Sequence, residues 1–220
     1  MSIASPIQKR TMKNQCGRPI GWLGRWLLRN MNKRHSGVTD WGLSHFTIPR
    51  DGAILDVGCG GGRTIAKLAA SSGLGRVFGL DHSADSVRVA AKINAEMIQA
   101  GRVEIREGSV SKLPYARDTF DLVTAVETIY FWPDLPADFR EIWRVVKPGG
   151  IFAIICEVYR GSPAAMSIMV EQNASKYAMT MLPPEEYRTL LAGAGFVEVQ
   201  VFIDEPQGWV CAMGRKPLPA

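Results

Sequence analysis

The chain has 220 residues, 46% hydrophobic and 21% charged, enough to bury a full core as one α/β domain with a modest appendage. No apolar run approaches the ~18–20 residues that a membrane-crossing helix needs, and the N-terminus has no secretory-signal pattern, so a soluble cytoplasmic protein is expected. The net charge of +5 is unevenly spread: residues 1–50 hold nine Lys/Arg against one acid, Asp40, whereas the rest holds seventeen basic against twenty acidic residues, which argues against a broad nucleic-acid-binding face.

In chain order, Trp22, Leu23, Trp26, Leu27 and Met31 recur at helical spacing with Arg25, Arg29 and Lys33 opposite, which predicts a basic amphipathic helix. Residues 1–50 are read as a helical N-terminal lid or extension, with a plain appendage and a contact to a membrane surface or acidic partner as the other readings. Residues 51–216 are read as the catalytic domain. His35 and Trp41 follow the amphipathic segment in a mixed polar and aromatic stretch. An imidazole titrates near neutrality, which makes His35 a candidate base, and Trp41 a candidate substrate contact.

From Ala53 onward, short apolar runs alternate with helix-period segments, the pattern of strands and helices around a parallel sheet. Strands are expected at 53–57, 76–80, 103–106, 120–126 and 151–156. Helices are expected at 62–70, at 84–99 behind Ser83 as its cap, and at 135–146, the last closed by Lys147-Pro148-Gly149-Gly150 as a turn. The segment 160–182 carries Met166, Met169, Met179 and Met181, either core filling or an adaptable apolar cap. A short helix at 184–192 then precedes two β-rich runs, 196–203 and 209–213, joined tightly enough for an antiparallel hairpin. The cysteines, at 16, 59, 156 and 211, suit neither a disulfide framework nor a zinc site, and no metal is expected.

The most informative segment is Ile54-Leu55-Asp56-Val57-Gly58-Cys59-Gly60-Gly61-Gly62, a strand running through glycines into a helix. Glycines permit a tight turn and close backbone approach, and the helix start offers unpaired N–H groups to a nucleotide-like ligand. Asp81 ends the second strand, placed to accept bonds from both hydroxyls of an unphosphorylated ribose, so an adenosine-type cofactor is implied. The dinucleotide fingerprint G-x-G-x-x-G fails in both registers, because its third glycine would fall on Arg63 or Ile65. In what remains, Asp56 can face a cationic amine.

These blocks resemble the class I S-adenosylmethionine (SAM)-dependent methyltransferases, and within them the group similar to ubiquinone/menaquinone-biosynthesis C-methyltransferases. The resemblance runs from about Asp51 to Lys216 and rests on Leu55–Gly60, Asp81, Gly108-Ser109-Val110, Phe120-Asp121-Leu122-Val123 and Lys147–Gly150. It implies a Rossmann-like, seven-stranded, mostly parallel sheet, with Asp56 near the methionine amine and Asp81 on the ribose. The cofactor set it implies is Asp56, Gly58, Cys59, Gly60, Asp81, His82, Gly108, Ser109, Val110 and Glu127, binding SAM or its product S-adenosyl-L-homocysteine (SAH). Ser109 stands where many members have an aspartate for the adenine amine. Val126–Trp132 lacks the Asn/Asp-Pro-Pro-Tyr/Phe run of nucleic-acid amino-methyltransferases, which points to a small-molecule acceptor.

Ligands of parallel α/β sheets sit beyond the carboxyl ends of the strands. Glu127 is therefore the other catalytic candidate beside His35, and Tyr130, Trp132 and Tyr159 join Trp41 as candidate substrate contacts. Two alternatives to a soluble enzyme are a membrane-associated methyltransferase of a lipid or quinone precursor and a non-catalytic SAM-binding regulatory module.

Overall fold

The protein is described as a computed structural model covering residues 35–219, so the amphipathic segment around Trp22–Met31 and Cys16 lie outside the described residues. A seven-stranded sheet has the order β3-β2-β1-β4-β5-β7-β6, from β1 (Ala53–Val57), β2 (Arg76–Asp81), β3 (Val103–Glu107), β4 (Phe120–Val126), β5 (Val146–Cys156), β6 (Val197–Asp204) and β7 (Trp209–Arg215). β1 to β5 pair in parallel, and β7 runs antiparallel to both β5 and β6. This is the Rossmann-like sheet with a C-terminal antiparallel hairpin that the sequence led us to expect.

Alternation along the strands sends neighbouring residues to opposite faces, and both faces are apolar because both are covered. Leu55, Val123, Phe152 and Ile154 pack on one side beneath α5 (Leu135–Val145) and α7 (Pro184–Gly193); Ile54, Leu122, Ala153 and Ile155 pack on the other with Ile65, Leu68 and Val38. Those last three come from α2 (Arg63–Ser71) and α1 (Ser36–Leu43). The described part of the N-terminal extension is thus packed into the second core: Trp41 meets Trp209, and His45 stacks on Phe202.

Three boundaries differ from expectation. The segment 84–99 is two helices, α3 (Ala84–Ile93) and α4 (Ala95–Gln99), because the buried Asn94 turns its amide into the protein and donates to the carbonyls of Gly62 and Ala90, both at 2.9 Å. The run Lys147–Gly150 is part of β5 instead of a free turn. Val146 already pairs with Phe120, and Gly149 and Gly150 exchange backbone bonds with Lys216. Between strand five and α7, a helix α6 (Ala165–Tyr177) leaves Met169 half exposed while Met181 is buried and Met166 and Met179 pack against the first core.

The two outer strands differ. β3 is short and carries Glu104, Arg106 and Glu107, whereas β6 slips register between Val197 and Gln200, with Glu198 at φ +50° and paired with Arg215.

The docking of α1 yields a test. A Cβ at Gly42 would lie 2.5–2.6 Å from the Ile155 side chain of β5, well inside contact distance. Gly42→Ala is expected to destabilise by about 1–3 kcal/mol, the usual cost of overpacking. Ile155→Val should recover part of that loss in a double-mutant cycle by urea denaturation. Strictly additive effects would show that α1 does not seat on β5.

Candidate functional site

Strand order reverses between β1 and β4, the place where open α/β sheets leave a crevice. A cavity of about 350 Å³ occupies it. The chain leaving β1 is pinned there by backbone bonds from Gly58 and Cys59 to the carbonyl of Leu80, at 2.7 and 3.0 Å. Gly58 has φ +74°, and a Cβ on it would fall 2.0 Å from Thr128 Oγ1, so this turn admits only glycine.

Asp81, at the end of β2, organises the floor. Its Oδ2 accepts from the Gly60 N–H at 2.9 Å and its Oδ1 from the Ser83 N–H at 2.8 Å, while its carbonyl accepts from Gly108. Ser83 caps α3 by accepting from Ser86 N–H. Ser86 lies on the cavity wall and buries a hydroxyl that has no hydrogen-bond partner among the described residues, an uncommon state for a buried polar atom unless a ligand completes it. Ser109 already accepts from the Ser111 N–H at 3.2 Å, and His82 stands half exposed beside Asp81.

Asp56 is 1% exposed at the end of β1 and accepts from Thr124 Oγ1 at 2.7 Å. Burial pushes its carboxyl up to about 7; the Thr124 bond opposes this and the nearby Asp81 charge adds to it. Burial raises the Cys59 thiol as well, with Asp81 and Asp56 adding, so Cys59 is a neutral wall and not a nucleophile.

Across the cavity, Glu127 follows β4 directly with φ +58°, a strained conformation for a residue with a side chain. Its Oε1 accepts from the Glu157 N–H and lies 3.4 Å from the Tyr130 hydroxyl. Its Oε2 is 3.8 Å from His35 Nε2, which in turn is 3.3 Å from a Glu157 carboxylate oxygen. Burial raises Glu127 to about 7, His35 opposing and Glu157 adding. His35 is carried at the start of α1, where Lys67 of α2 donates to the Ser36 carbonyl and hydroxyl and pairs with Asp40.

All ten residues assigned to the cofactor face this one cavity, as do His35 and Trp132. Trp41, Tyr130 and Tyr159 are not among its lining. Trp41 turns away onto Trp209, and Tyr130 and Tyr159 are 2% and 5% exposed within the first core, where apolar burial outweighs their position after a strand end. Tyr130 still holds Glu127 from behind. Thr39, Arg63, Thr64, Ser86 and Pro133 line the cavity without having been singled out in the sequence, and Phe131, beside Trp132, lines it too.

Residues 55–154 match the methyltransferase domain family. A methyltransferase named GfsG from Streptomyces halstedii is 38% identical over 110 residues, 50% of this chain and 39% of that protein. The demethylmenaquinone methyltransferase of Bacillus licheniformis is 33% identical over 125 residues, 56% of this chain and 52% of that protein. The chain therefore spans less than two thirds of the length of these curated relatives. Among solved structures, a chain of the Haloferax volcanii complex formed with the Trm112 methyltransferase activator superposes with a TM-score of 0.75 at 23% identity, covering 89% of this chain and 96% of that one.

The buried Asp56 predicts a stability signature. With a folded value near 7 against 3.8 when unfolded, the folded chain keeps a proton between about pH 4 and 7 that the unfolded chain has released. Its contribution to stability therefore falls as pH rises through that window and is constant above it. Asp56→Asn keeps an acceptor for Thr124 and cannot ionise. The variant should melt several degrees higher than wild type at pH 8, on the order of 2 kcal/mol, with the gap closing at pH 5. A gap independent of pH would show that Asp56 does not titrate there.

Proposed function

We propose that this chain is a class I SAM-dependent methyltransferase, a reading supported by the methyltransferase-domain match of residues 55–154, and that it transfers a methyl group to a small acceptor held between the glycine turn and the His35–Glu127 wall. The observation that carries the reading is the convergence on one cavity of the Gly58–Gly60 turn, the Asp81 carboxylate and the Asp56 carboxylate, with an apolar wall of Phe131, Trp132 and Pro133 opposite.

The residues present fit the cofactor. Asp81 spends one hydrogen bond per oxygen on Gly60 and Ser83 and retains lone pairs for ribose hydroxyls. The unsatisfied Ser86 hydroxyl lies on the same wall, and Asp56 supplies an anion where a methionine amine needs one. We assign Asp56, Gly58, Cys59, Gly60, Asp81, His82, Gly108, Ser109, Val110 and Glu127 to SAM. SAM, when bound, supplies an electrophilic methyl on a sulfonium, and its loss to the acceptor's electron pair leaves SAH as a neutral thioether.

What the chain itself does is align and dehydrate. Gly58 and Gly60 bring backbone to the cofactor, Trp132 and Phe131 exclude water from the acceptor, and the narrow cavity limits the angles of approach. Glu127 and His35 meet the acceptor on its polar side and are the residues we assign to chemistry there. An acceptor of modest size with one apolar face and one ionisable group suits these walls.

SAM and SAH are expected to bind the full chain at micromolar or tighter affinity by calorimetry, with NAD undetectable. Asp81→Ala should weaken SAM by about 1.5–3 kcal/mol, the scale for hydrogen bonds to a charged group, while the far-ultraviolet circular dichroism stays unchanged. Binding of NAD without SAM would remove the reading, and an unaltered SAM affinity in the variant would remove Asp81 from the site. Labelled SAM incubated with fractionated metabolite extracts then identifies the acceptor.

A further inference from the structure

We infer that His35, Glu127 and Glu157 form a binding site for one divalent first-row cation at the acceptor end of the cavity. The existence of the site rests on the geometry of these three residues; what the cation does there rests on the methyltransferase reading.

The three come from separate parts of the chain: the residue before α1, the residue after β4 and the residue after β5. One ligand atom from each, an imidazole nitrogen and two carboxylate oxygens, lies within 4.8 Å of the others. His35 Nε2 is 3.3 Å from Glu157 Oε2 and 3.8 Å from Glu127 Oε2. An octahedral ion with bonds of about 2.1 Å sets adjacent ligands roughly 3.0 Å apart and opposite ligands roughly 4.2 Å apart. The observed separations need only small side-chain adjustments to reach those values.

The ligand set also suits a cation in charge and setting. The three side chains are 16%, 11% and 15% exposed, so two carboxyl groups and an imidazole meet where water screens charge poorly. A dication bound among them would stabilise both carboxylates. Oxygen and imidazole donors in this proportion suit Mn2+, Fe2+ or Zn2+, and not a soft ion.

The surroundings are those of a supported ligand set. Glu127 has its second oxygen occupied by Glu157 N–H and the Tyr130 hydroxyl, which orients the first toward His35. His35 is braced by the Lys67 contacts to Ser36 and Asp40. Three protein ligands leave three positions of a six-coordinate ion for water and for an acceptor oxygen. Because His35 and Glu127 are cavity walls, a cation held by them would be within reach of a molecule in it. Such a cation would anchor an anionic or hydroxyl oxygen of the acceptor and lower the pKa of a bound hydroxyl, releasing its proton to solvent before methylation. The acceptor class that follows is an oxygen-bearing, metal-chelating small molecule.

Mn2+ is the probe. The full chain, stripped with chelator and dialysed, should take up one equivalent with micromolar affinity, followed by loss of the free-ion electron paramagnetic resonance signal and by calorimetry. Glu157→Gln and His35→Ala should each weaken Mn2+ at least ~10-fold. Glu157 is off the cavity lining, so its glutamine variant should keep the wild-type SAH affinity, which also shows that it is folded. No Mn2+ or Zn2+ uptake at millimolar concentration by protein that binds SAH would overturn the site and leave the triad as a proton-sharing cluster. Uptake unaffected by Glu157→Gln would overturn it equally. Mn2+ binding with no SAH binding would instead keep the site and remove the cofactor reading.

Discussion

The geometry of the cavity depends on one carboxylate. Asp81 accepts N–H groups from the turn after β1 and from the entry to α3, so the two loops that frame the crevice share a single anionic hub. Each of these bonds joins a charged acceptor to a backbone donor, the stronger class of protein hydrogen bond. Removing the hub would leave the Gly60 and Ser83 donors without their partner beside an open cavity, and would release the cap of α3. The turn can form only because Gly58 accepts a left-handed conformation against Thr128, so the β4 end and the β1 end are fitted to each other as well.

The elements of the sheet were legible because β1, β4 and the second half of β5 are apolar runs bounded by turn residues, and burial on both faces makes such runs continuous. The cavity wall formed by Asp56, the glycines and Asp81 was equally legible, since these residues are adjacent in sequence to the strand ends that place them. What escaped depends on contacts between distant segments. Asn94 breaks a helix because its amide finds Gly62, thirty-two positions away, and no helical period records that. α1 has two glycines and weak periodicity, and its seat on β5 and β7 is a matter of shape. Tyr130 and Tyr159 stood at the right place in the chain but rotate into the core, and Glu157 acquires its significance only through the approach of His35.

The two ends of the sheet are built on different principles. At the amino ends, Lys216 is buried, reaches Asp118 at 2.6 Å and the carbonyls of Trp143 and Val146 at 2.9 Å, and sits over the Trp143 ring. Beside it, Asp121 accepts from both Ala53 N–H and Lys147. These charges are paired and satisfied, and they tie the C-terminal strand to the starts of β4 and β5. At the carboxyl ends, carboxyl groups stand beside one another, Asp56 with Asp81 and Glu127 with Glu157, and burial raises Asp56 and Glu127 to about 7. Raised carboxyl values of this kind cluster at functional sites.

The register slip in β6 bears on how the molecule behaves in a crowd. An outer strand with every peptide group in line is a template onto which a second molecule can add its own strand, and exposed Val197 and Ile203 would give that addition an apolar driving force. Glu198, turned left-handed and tied to Arg215, interrupts the row of donors and acceptors next to Val197 and places a charge there. At the opposite margin, the brevity of β3 and its alternating charges do the same work. The protein therefore carries protection against fibrillar self-association at both margins, and straightening the β6 slip would trade a small gain in pairing for a surface open to polymerisation.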